Sequence, residues 1–568
     1  MNKSASSAKV EKTRLRGIAL LENPLLNKGI AFTEAERDRL GLRGLLPPHV
    51  GTIGEQVKLE LEHVRRKASD DLEKFIGLSS LQDRNETLFY RVVVENLEEF
   101  LPIVYTPTVG KACQEFSHIF RRSRGVWITP EDGERMTDVL KNAARGDVRL
   151  IVVTDNERIL GLGDQGAGGM GISIGKLALY TAAAGIHPAS TLPISLDVGT
   201  NRKELLDDPL YLGLRKPRLR GAEYDAFIES FVAAVKETFP NAILQWEDFK
   251  QENALRILRR FRQRLASFND DVQGTAGVVV AGILAGLRRT GGRLADQRIA
   301  FLGAGASGLG IAHLIREEMR REGASEDKIH AAILSLDSKG LVYEGREGVD
   351  EFKAEVALGD REMKTYGFES GKHYDLDDVV RKSRPTILIG ATGKAGAFTE
   401  SAIREMARHA ATPIIFPLSN PTSNTEAVPK DVFAWTDGRA VMATGSPFAP
   451  VEYGGKLHVV GQANNVFIFP GVGLGALVAG AREITDSMFL TAARTLSECV
   501  SDERLAGGAL YPSVASLRDV SRRIAVRVAS LVYASGTSTR TDRGAAESVE
   551  ADVDRAMWFP EYPIYEPA

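Results

Sequence analysis

Ile299-Ala300-Phe301-Leu302-Gly303-Ala304-Gly305-Ala306-Ser307-Gly308 decides how the second half of this chain folds. Four apolar residues run into three glycines at Gly-X-Gly-X-X-Gly spacing. Leu309 to Arg320 then carries the periodicity of a helix, and Ala331 to Leu336 is an apolar strand ending at Asp337. Strand, glycine turn, helix and strand form a dinucleotide-binding arrangement. The glycines permit a tight turn and bring a pyrophosphate close to the free N–H groups at the helix N-terminus. A bare glycine fingerprint is a weak signal, and this context is what makes it specific. Gly303, Gly305, Ser307 and Gly308 are therefore candidate cofactor-binding residues, with Asp337 placed to meet the adenosine ribose. Asp337 lies farther beyond Gly308 than the usual ~20 residues, so an extended intervening loop is expected.

Upstream, two acidic clusters precede the fingerprint. Glu247 and Asp248 end the apolar run of Ala242, Ile243, Leu244 and Trp246, and Asp270 and Asp271 follow a basic helix. Paired acids are usually solvated, but these sit beside Trp246, Phe249 and Phe268, and the first pair ends a strand, where parallel-sheet ligands gather. No histidine or cysteine accompanies them, so the ligand set is all oxygen, which suits Mg²⁺ or Mn²⁺. Successive strand side chains point to opposite faces. For Glu247 and Asp248 to share an ion, the chain must already have turned into a loop there.

The surrounding pattern is multi-domain α/β. Residues 17 to about 122 read as helical, with helical spacing through Leu59–Val64 and Leu81–Phe100. Leu150–Thr154 and Leu192–Leu196 read as strands on either side of a helix from Lys176 to Gly185, an alternation that implies a parallel sheet. The expected division is a helical N-terminal domain (1–122), a central parallel-sheet α/β domain (123–270 and 465–529), an inserted Rossmann-like dinucleotide-binding domain (271–464), and a C-terminal tail (530–568). The active site is expected in a cleft between the two α/β domains.

A chain of 568 residues is too long for a single core. Its 43% hydrophobic and 26% charged residues are ordinary for a soluble globular protein. A formal net charge of −3 argues against a nucleic-acid surface. The two cysteines, Cys113 and Cys499, lie too far apart in sequence to suggest a disulfide framework or a cysteine metal site. The apolar stretch Val278–Leu287 is too short to span a bilayer. The basic N-terminus (Lys3, Lys9, Lys12, Arg14, Arg16) lacks an apolar signal core and reads as a disordered tail of a cytoplasmic protein.

Several candidates stay open on residue type alone. Arg158, at the start of a glycine-dense loop running to Gly175, suits a substrate carboxylate. Lys176 is either a base, which requires a nearby metal to depress its pKa, or a phosphate-binding or surface residue. Tyr105, in Tyr-Thr-Pro-Thr-Val-Gly, reads in isolation as a packed tyrosine with its hydroxyl satisfied. Asn420, Asn464 and Asn465 are amides at loop positions, suited equally to holding a carboxylate or capping a turn.

Together these strings resemble the large-subunit malic enzymes of eukaryotes and many bacteria. The matches are Tyr-Thr-Pro-Thr-Val-Gly (105–110), Arg-Ile-Leu-Gly-Leu-Gly-Asp (158–164), Gly-Met-Gly-Ile-Ser-Ile-Gly-Lys (169–176), Leu-Asp-Val-Gly-Thr (196–200), Trp-Glu-Asp-Phe (246–249), Phe-Asn-Asp-Asp-Val-Gln-Gly-Thr (268–275), Leu-Ser-Asn-Pro-Thr (418–422) and Gly-Gln-Ala-Asn-Asn-Val-Phe-Ile-Phe-Pro-Gly (461–471). The resemblance implies oxidative decarboxylation of L-malate to pyruvate and CO₂, with a divalent metal and reduction of a nicotinamide cofactor. It implies that Glu247, Asp248 and Asp271 bind the metal. Lys176, hydrogen-bonded to Asp270, takes the malate hydroxyl proton, and Tyr105 protonates the enol carbon. Arg158, Asn420 and Asn465 orient the carboxylates, and Asn464 lies by the cofactor. It also implies a homodimer or homotetramer.

Ser338 and Lys339 after Asp337, with Lys353 farther on, are similar to NADP-using members. A hydroxyl and two ammonium groups suit a 2′-phosphate that Asp337 alone would repel, although lysines are also ordinary loop charges. The reading leans to NADP over NAD. Gln251 stands where many members carry a cofactor-side asparagine. Leu59 replaces one arginine of the fumarate-activated animal enzyme's pair, Arg84 matching the other, so fumarate activation of that type is not expected. The rival readings are a malolactic enzyme, releasing lactate, and a dinucleotide-binding regulator without catalysis.

Overall fold

The computed structural model of the protein describes residues 9–67, 70–540 and 548–568. It divides into two compact units, one of residues 1–156, 164–241 and 555–568, the other of 157–163 and 242–554.

In the first unit, helices Ile53–Arg65, Asp71–Arg84, Glu86–Glu95, Leu97–Val104 and Thr108–Gln114 follow one another closely. Their starts are local: Thr52 and Glu55 form a reciprocal capping box, and Asp70 and Asn85 accept from Glu73 N and Leu88 N. The strands Val126–Ile128, Thr191–Leu196 and Leu150–Thr154 pair in parallel, with Thr191–Leu196 in the middle. Leu150–Thr154 is buried throughout, as a strand covered on both faces must be. The helix expected from Lys176 instead begins at Met170. The glycines before it are packing positions. A Cβ at Gly168 would lie 2.5 Å from Cys113 O, and one at Gly171 would lie 2.8 Å from Cys113 Sγ.

The basic N-terminus differs from the expected disordered tail. Residues 1–8, including Lys3, lie outside the described residues. Val10–Thr13 is a strand, paired in parallel with Ile564–Pro567 at the other end of the chain. Beside this ladder Lys28 is buried, donating to both Glu36 oxygens at 2.8 and 2.9 Å and to Pro563 O at 2.7 Å. No sequence periodicity announces a pairing between chain ends.

The second unit contains a sheet ordered Gly461–Gln462, Val441–Thr444, Ile414–Pro417, Ile387–Gly390, Ile299–Leu302, Ile333–Asp337, Gly340–Leu341. All neighbours are parallel except the last pair. The chain leaves Ile299–Leu302 toward one side and later returns to its other side at Ile387–Gly390. That reversal opens a crevice at the carboxyl ends of these two strands, where doubly wound sheets bind ligands. Helix Ala306–Arg321 follows the glycines, and a second helix, Glu326–Ala332, is started by Ser325 accepting from Lys328 N. The extra residues before Asp337 are therefore helical, where an extended loop was expected. Helix Thr275–Thr290 packs on Asp486–Glu498, and Phe469–Ala479 on Leu517–Ala534. Among the described residues no helix is long and apolar enough to cross a membrane.

Candidate metal and dinucleotide centre

Ile243–Trp246 and Ser267–Asn269 are parallel neighbours with Trp246 opposite Asn269, so both acidic pairs leave the same edge. The strand has ended before Glu247, and Asp248 adopts φ +56°, a left-handed conformation costly for a residue with a Cβ. Three bonds compensate. Asp248 N donates to Asp271 Oδ2 at 2.8 Å, Leu160 N donates to Asp248 Oδ2 at 3.2 Å, and Arg158 N to Asp248 O at 3.2 Å. Carboxylate oxygens of Glu247, Asp248 and Asp271 all lie within 4.8 Å of one another. Gln245 Nε2 steadies Glu247 Oε2 at 2.7 Å. Three converging carboxylates repel one another strongly in a buried setting, and an oxygen-only set fits a hard divalent cation.

Asp271 sits in a π-helical turn, Asp270–Gly274, a rare element that recurs at functional sites. Asp270 is fully buried, and Asn465 Nδ2 donates to its Oδ2 and to Thr275 Oγ1, both at 3.0 Å. A Cβ at Gly274 would fall 1.8 Å from Asp270 Oδ1, so only glycine admits that carboxylate.

In the first unit Tyr105 ends helix Leu97–Val104 and is buried, and Lys176 is only 2% exposed. The Lys176 ammonium lies 5.3 Å from the Tyr105 ring centroid. A Cβ at Gly175 would lie 3.1 Å from Val104 O and 3.3 Å from Tyr105 Cδ2, so this glycine sets how closely the two side chains approach. Lys176 is thus a buried lysine, as Lys28 is, an environment that a strongly hydrated ammonium seldom occupies. Nearby in sequence, Asp164 is gripped by Arg218, at 2.7 Å to Oδ1 and 3.2 Å to Oδ2, while Arg218 Nη1 donates to Asp155 O at 2.7 Å. Burial works against the Asp164 charge, but Arg218 outweighs it and holds the carboxyl below its ordinary range. No motif marked Arg218.

Arg158, in the second unit, is exposed, and its guanidinium makes no hydrogen bond or ion pair among the described residues. Asn420, before a cis peptide to Pro421, accepts at Oδ1 from Ser446 Oγ at 2.6 Å. Asn464 caps a turn, accepting from Val466 N at 3.0 Å. Glu426 escaped the sequence reading. It is fully buried and accepts from Thr392 N and Oγ1, both at 2.8 Å, from Ser419 N at 3.1 Å, and from Ser419 Oγ. One carboxylate thereby ties the loop leaving Ile387–Gly390 to the loop leaving Ile414–Pro417, which carries Asn420.

At the fingerprint, Gly303 has φ +119°, and a Cβ there would lie 2.5 Å from Ala391 O, across the crevice. Ser307 stands in the first turn of helix Ala306–Arg321. Gln251 reaches the turn, its Oε1 lying 3.4 Å from where a Gly305 Cβ would stand. A Cβ on Gly308 would meet Gly303 O at 2.1 Å and Phe301 Cε1 at 2.7 Å. Gly308→Ala is expected to cost about 1–3 kcal/mol by overpacking and to weaken dinucleotide binding, read together by thermal unfolding and NAD⁺ titration. Unchanged affinity and stability would remove the fingerprint from the site.

Asp337 ends its strand in an ion-pair knot. Arg346 donates to it at 2.9 and 2.6 Å, Lys353 Nζ at 3.0 Å, and Lys339 N at 2.9 Å. Burial raises the carboxyl's pKa, but the Arg346 hydrogen bond, Lys339 N and Lys353 outweigh it and bring it down to about 2. Asp337 is charged at any working pH, and its ion pairs are lost only as the pH falls below the ordinary carboxylate range toward that value. Ser338 and Lys339 are exposed. Arg346, which sequence spacing did not mark, is the closest partner, and Lys353 pairs with the same carboxylate.

Two family models match the chain, "Malic enzyme, N-terminal domain" over residues 82–262 and "Malic enzyme, NAD binding domain" over residues 272–533. Among curated relatives, the NAD-dependent malic enzyme of Sodalis glossinidius is 49% identical over 552 residues, covering 97% of this chain and 96% of the relative. The NAD-dependent malic enzyme of Pseudomonas aeruginosa is 46% identical over 550 residues, covering 97% of each. Among solved structures, the malic enzyme of Entamoeba histolytica superposes with a TM-score of 0.55 at 26% identity, covering 81% of each chain.

Proposed function

The chain belongs to the malic enzyme family, and we propose that it oxidatively decarboxylates L-malate to pyruvate and CO₂ with reduction of NAD. The convergence of Glu247, Asp248 and Asp271 carries this reading, because their turn lies in the same unit as the dinucleotide fold. Those three carboxylates would hold Mg²⁺ or Mn²⁺. When bound, the metal supplies charge that polarises the substrate hydroxyl and offsets the negative charge left by loss of CO₂.

Lys176 takes the malate hydroxyl proton as hydride leaves the carbon, and Tyr105 returns a proton to the enol carbon. Asp270, itself held by Asn465, completes the catalytic group. The unpaired Arg158 guanidinium and the Asn420 amide orient malate carboxylates, with Asn465 on the same substrate side. Gly303, Gly305, Ser307 and Gly308 receive the pyrophosphate, and Asn464 lies beside the dinucleotide.

NAD is the cofactor in this proposal, in place of the NADP that Ser338, Lys339 and Lys353 suggest by sequence. The relatives named above are NAD-dependent, and Lys353 already neutralises Asp337 instead of waiting for a phosphate. Asp337 then accepts from ribose hydroxyls, and a 2′-phosphate meets a carboxylate held in its charged form. With L-malate and Mn²⁺, kcat/KM for NAD⁺ is expected to exceed that for NADP⁺ by about a hundredfold, ~2.7 kcal/mol, with pyruvate matching NADH. Preference for NADP⁺ would overturn the Asp337 assignment. Lactate without reduced cofactor would restore the malolactic alternative.

Fumarate is expected to leave the rate unchanged. Leu59 presents an exposed apolar side chain, and Arg84 is engaged by Glu60 at 2.6 Å. A clear rise in rate with millimolar fumarate would contradict this. The four-part domain division, cytoplasmic location and assembly as a homodimer or homotetramer complete the proposal, the last testable by sedimentation velocity.

A further inference from the structure

Three elements of the second unit meet at one side chain outside the motifs. The turn Asp270–Gly274 carries Asp271, helix Ala306–Arg321 carries the end of the fingerprint, and helix Asp486–Glu498 comes from far downstream. The first two touch backbone to side chain position: a Cβ at Gly310 would lie 2.6 Å from Val272 O. The third packs on the strand entering the turn, with the Phe489 and Phe268 rings 5.5 Å apart.

Asp486 sits at this junction. Its Oδ1 accepts from Gln273 Nε2 at 2.8 Å and from Arg262 Nη2 at 3.1 Å, and its Oδ2 accepts from His313 Nε2 at 3.1 Å. Gln273 is buried, and its Oε1 accepts from Asn269 N at 3.2 Å, so it spans from Asp486 to the start of the metal-bearing turn. His313 belongs to the nucleotide helix. A second ion pair, Arg494 to Glu318 at 2.5 Å, ties the same two helices. Burial acts to raise the Asp486 pKa, but the His313 hydrogen bond and the Arg262 charge reverse this and hold the carboxyl well below its ordinary range. The hydrogen bond to Asp486 in turn raises His313. The carboxylate is therefore a fixed charge, and the three donors are held to it by charge-assisted bonds.

We propose that Asp486 is a positioning residue for this reaction, acting through Gln273 to hold the Asp271 turn in its metal-binding shape and through His313 to fix the nucleotide helix against it. This rests on the assignment of Glu247, Asp248 and Asp271 to the metal. Groups that orient metal ligands from outside are worth about 10–100-fold in metal affinity, so the effect is measurable without turnover.

The test uses Mn²⁺ alone, its binding to the full-length protein read from the loss of the free-ion electron paramagnetic resonance signal. NAD⁺ binding is read separately by protein fluorescence. Gln273→Ala and Asp486→Ala are each expected to weaken Mn²⁺ binding by about 10–100-fold, with the double variant no weaker than the worse single. Asp486→Asn, which keeps an acceptor for Gln273, recovers part of the loss. His313→Ala weakens NAD⁺ more than Mn²⁺. In turnover, saturating Mn²⁺ restores most of kcat in Gln273→Ala while the apparent KM for Mn²⁺ stays raised. Gln273→Ala leaves the Asp486 ion pairs in place, so it decides the matter if Asp486→Ala fails to fold. Unchanged Mn²⁺ affinity in Gln273→Ala, or additive losses in the double variant, overturns the proposal while leaving the functional reading intact. Wild-type protein that binds no Mn²⁺ overturns both.

Discussion

Asp271→Ala is expected to lower kcat/KM for L-malate by at least about three orders of magnitude, ~4 kcal/mol of transition-state stabilisation. Asp271 has two tasks. It supplies one of the three converging carboxylates, and its Oδ2 accepts the Asp248 N–H that helps hold the left-handed backbone at Asp248. Loss of the side chain would therefore remove one of the three carboxylates and loosen the backbone that places another. Asp271→Asn separates the tasks, because its amide oxygen still accepts from Asp248 N while the negative charge is gone. Both variants should bind Mn²⁺ poorly, with the alanine variant the worse. NAD⁺ affinity should change little in either, since the fingerprint glycines are untouched. An Asp271→Ala enzyme that keeps its turnover and its metal requirement would remove this cluster from the chemistry.

Lys176→Ala is expected to lower kcat by about 10²–10⁴-fold, the range for losing a positioned general base, with Mn²⁺ and NAD⁺ affinities nearly intact. Lys176→Arg should not restore the rate, because guanidinium does not give up its proton in this range. Exogenous small amines are expected to rescue the alanine variant in part, since the truncated side chain leaves room in a buried site beside Tyr105. Near-normal turnover in Lys176→Ala would refute the assigned base. The contrast between the two variants is diagnostic: loss at Asp271 acts on metal binding and chemistry together, whereas loss at Lys176 acts on chemistry alone.

Much of this site was legible from local pattern. Ile299–Gly308 read directly as strand and glycine turn, and Leu150–Thr154 falls where its apolar run placed it. The requirement that the chain turn before Asp248 was a deduction from strand geometry, and φ +56° meets it. Other readings missed because local signals compete. Glycines near Lys176 looked like a loop, yet Gly171 and Gly175 lie inside a helix, where their missing Cβ atoms admit Cys113 and Tyr105. The basic stretch around Lys12 looked like tail, yet it pairs with the far end of the chain.

The sequence by itself determined the multi-domain α/β class, the dinucleotide fold and the two acidic clusters, because each of these depends on residues near one another along the chain, whereas the convergence of the clusters is tertiary. Periodicity, turn chemistry and motif spacing are properties of short segments, and such segments keep their meaning wherever they are placed. Only the tertiary structure decided what Lys353, Arg346, Arg218, Glu426 and Asp486 do. A charged side chain carries no sign in sequence of whether it meets solvent or a distant partner. Lys353 is a partner of Asp337 because the short helix Glu351–Ala354 brings it within 3.0 Å, and buried ion pairs are made by topology, which joins residues that the chain separates.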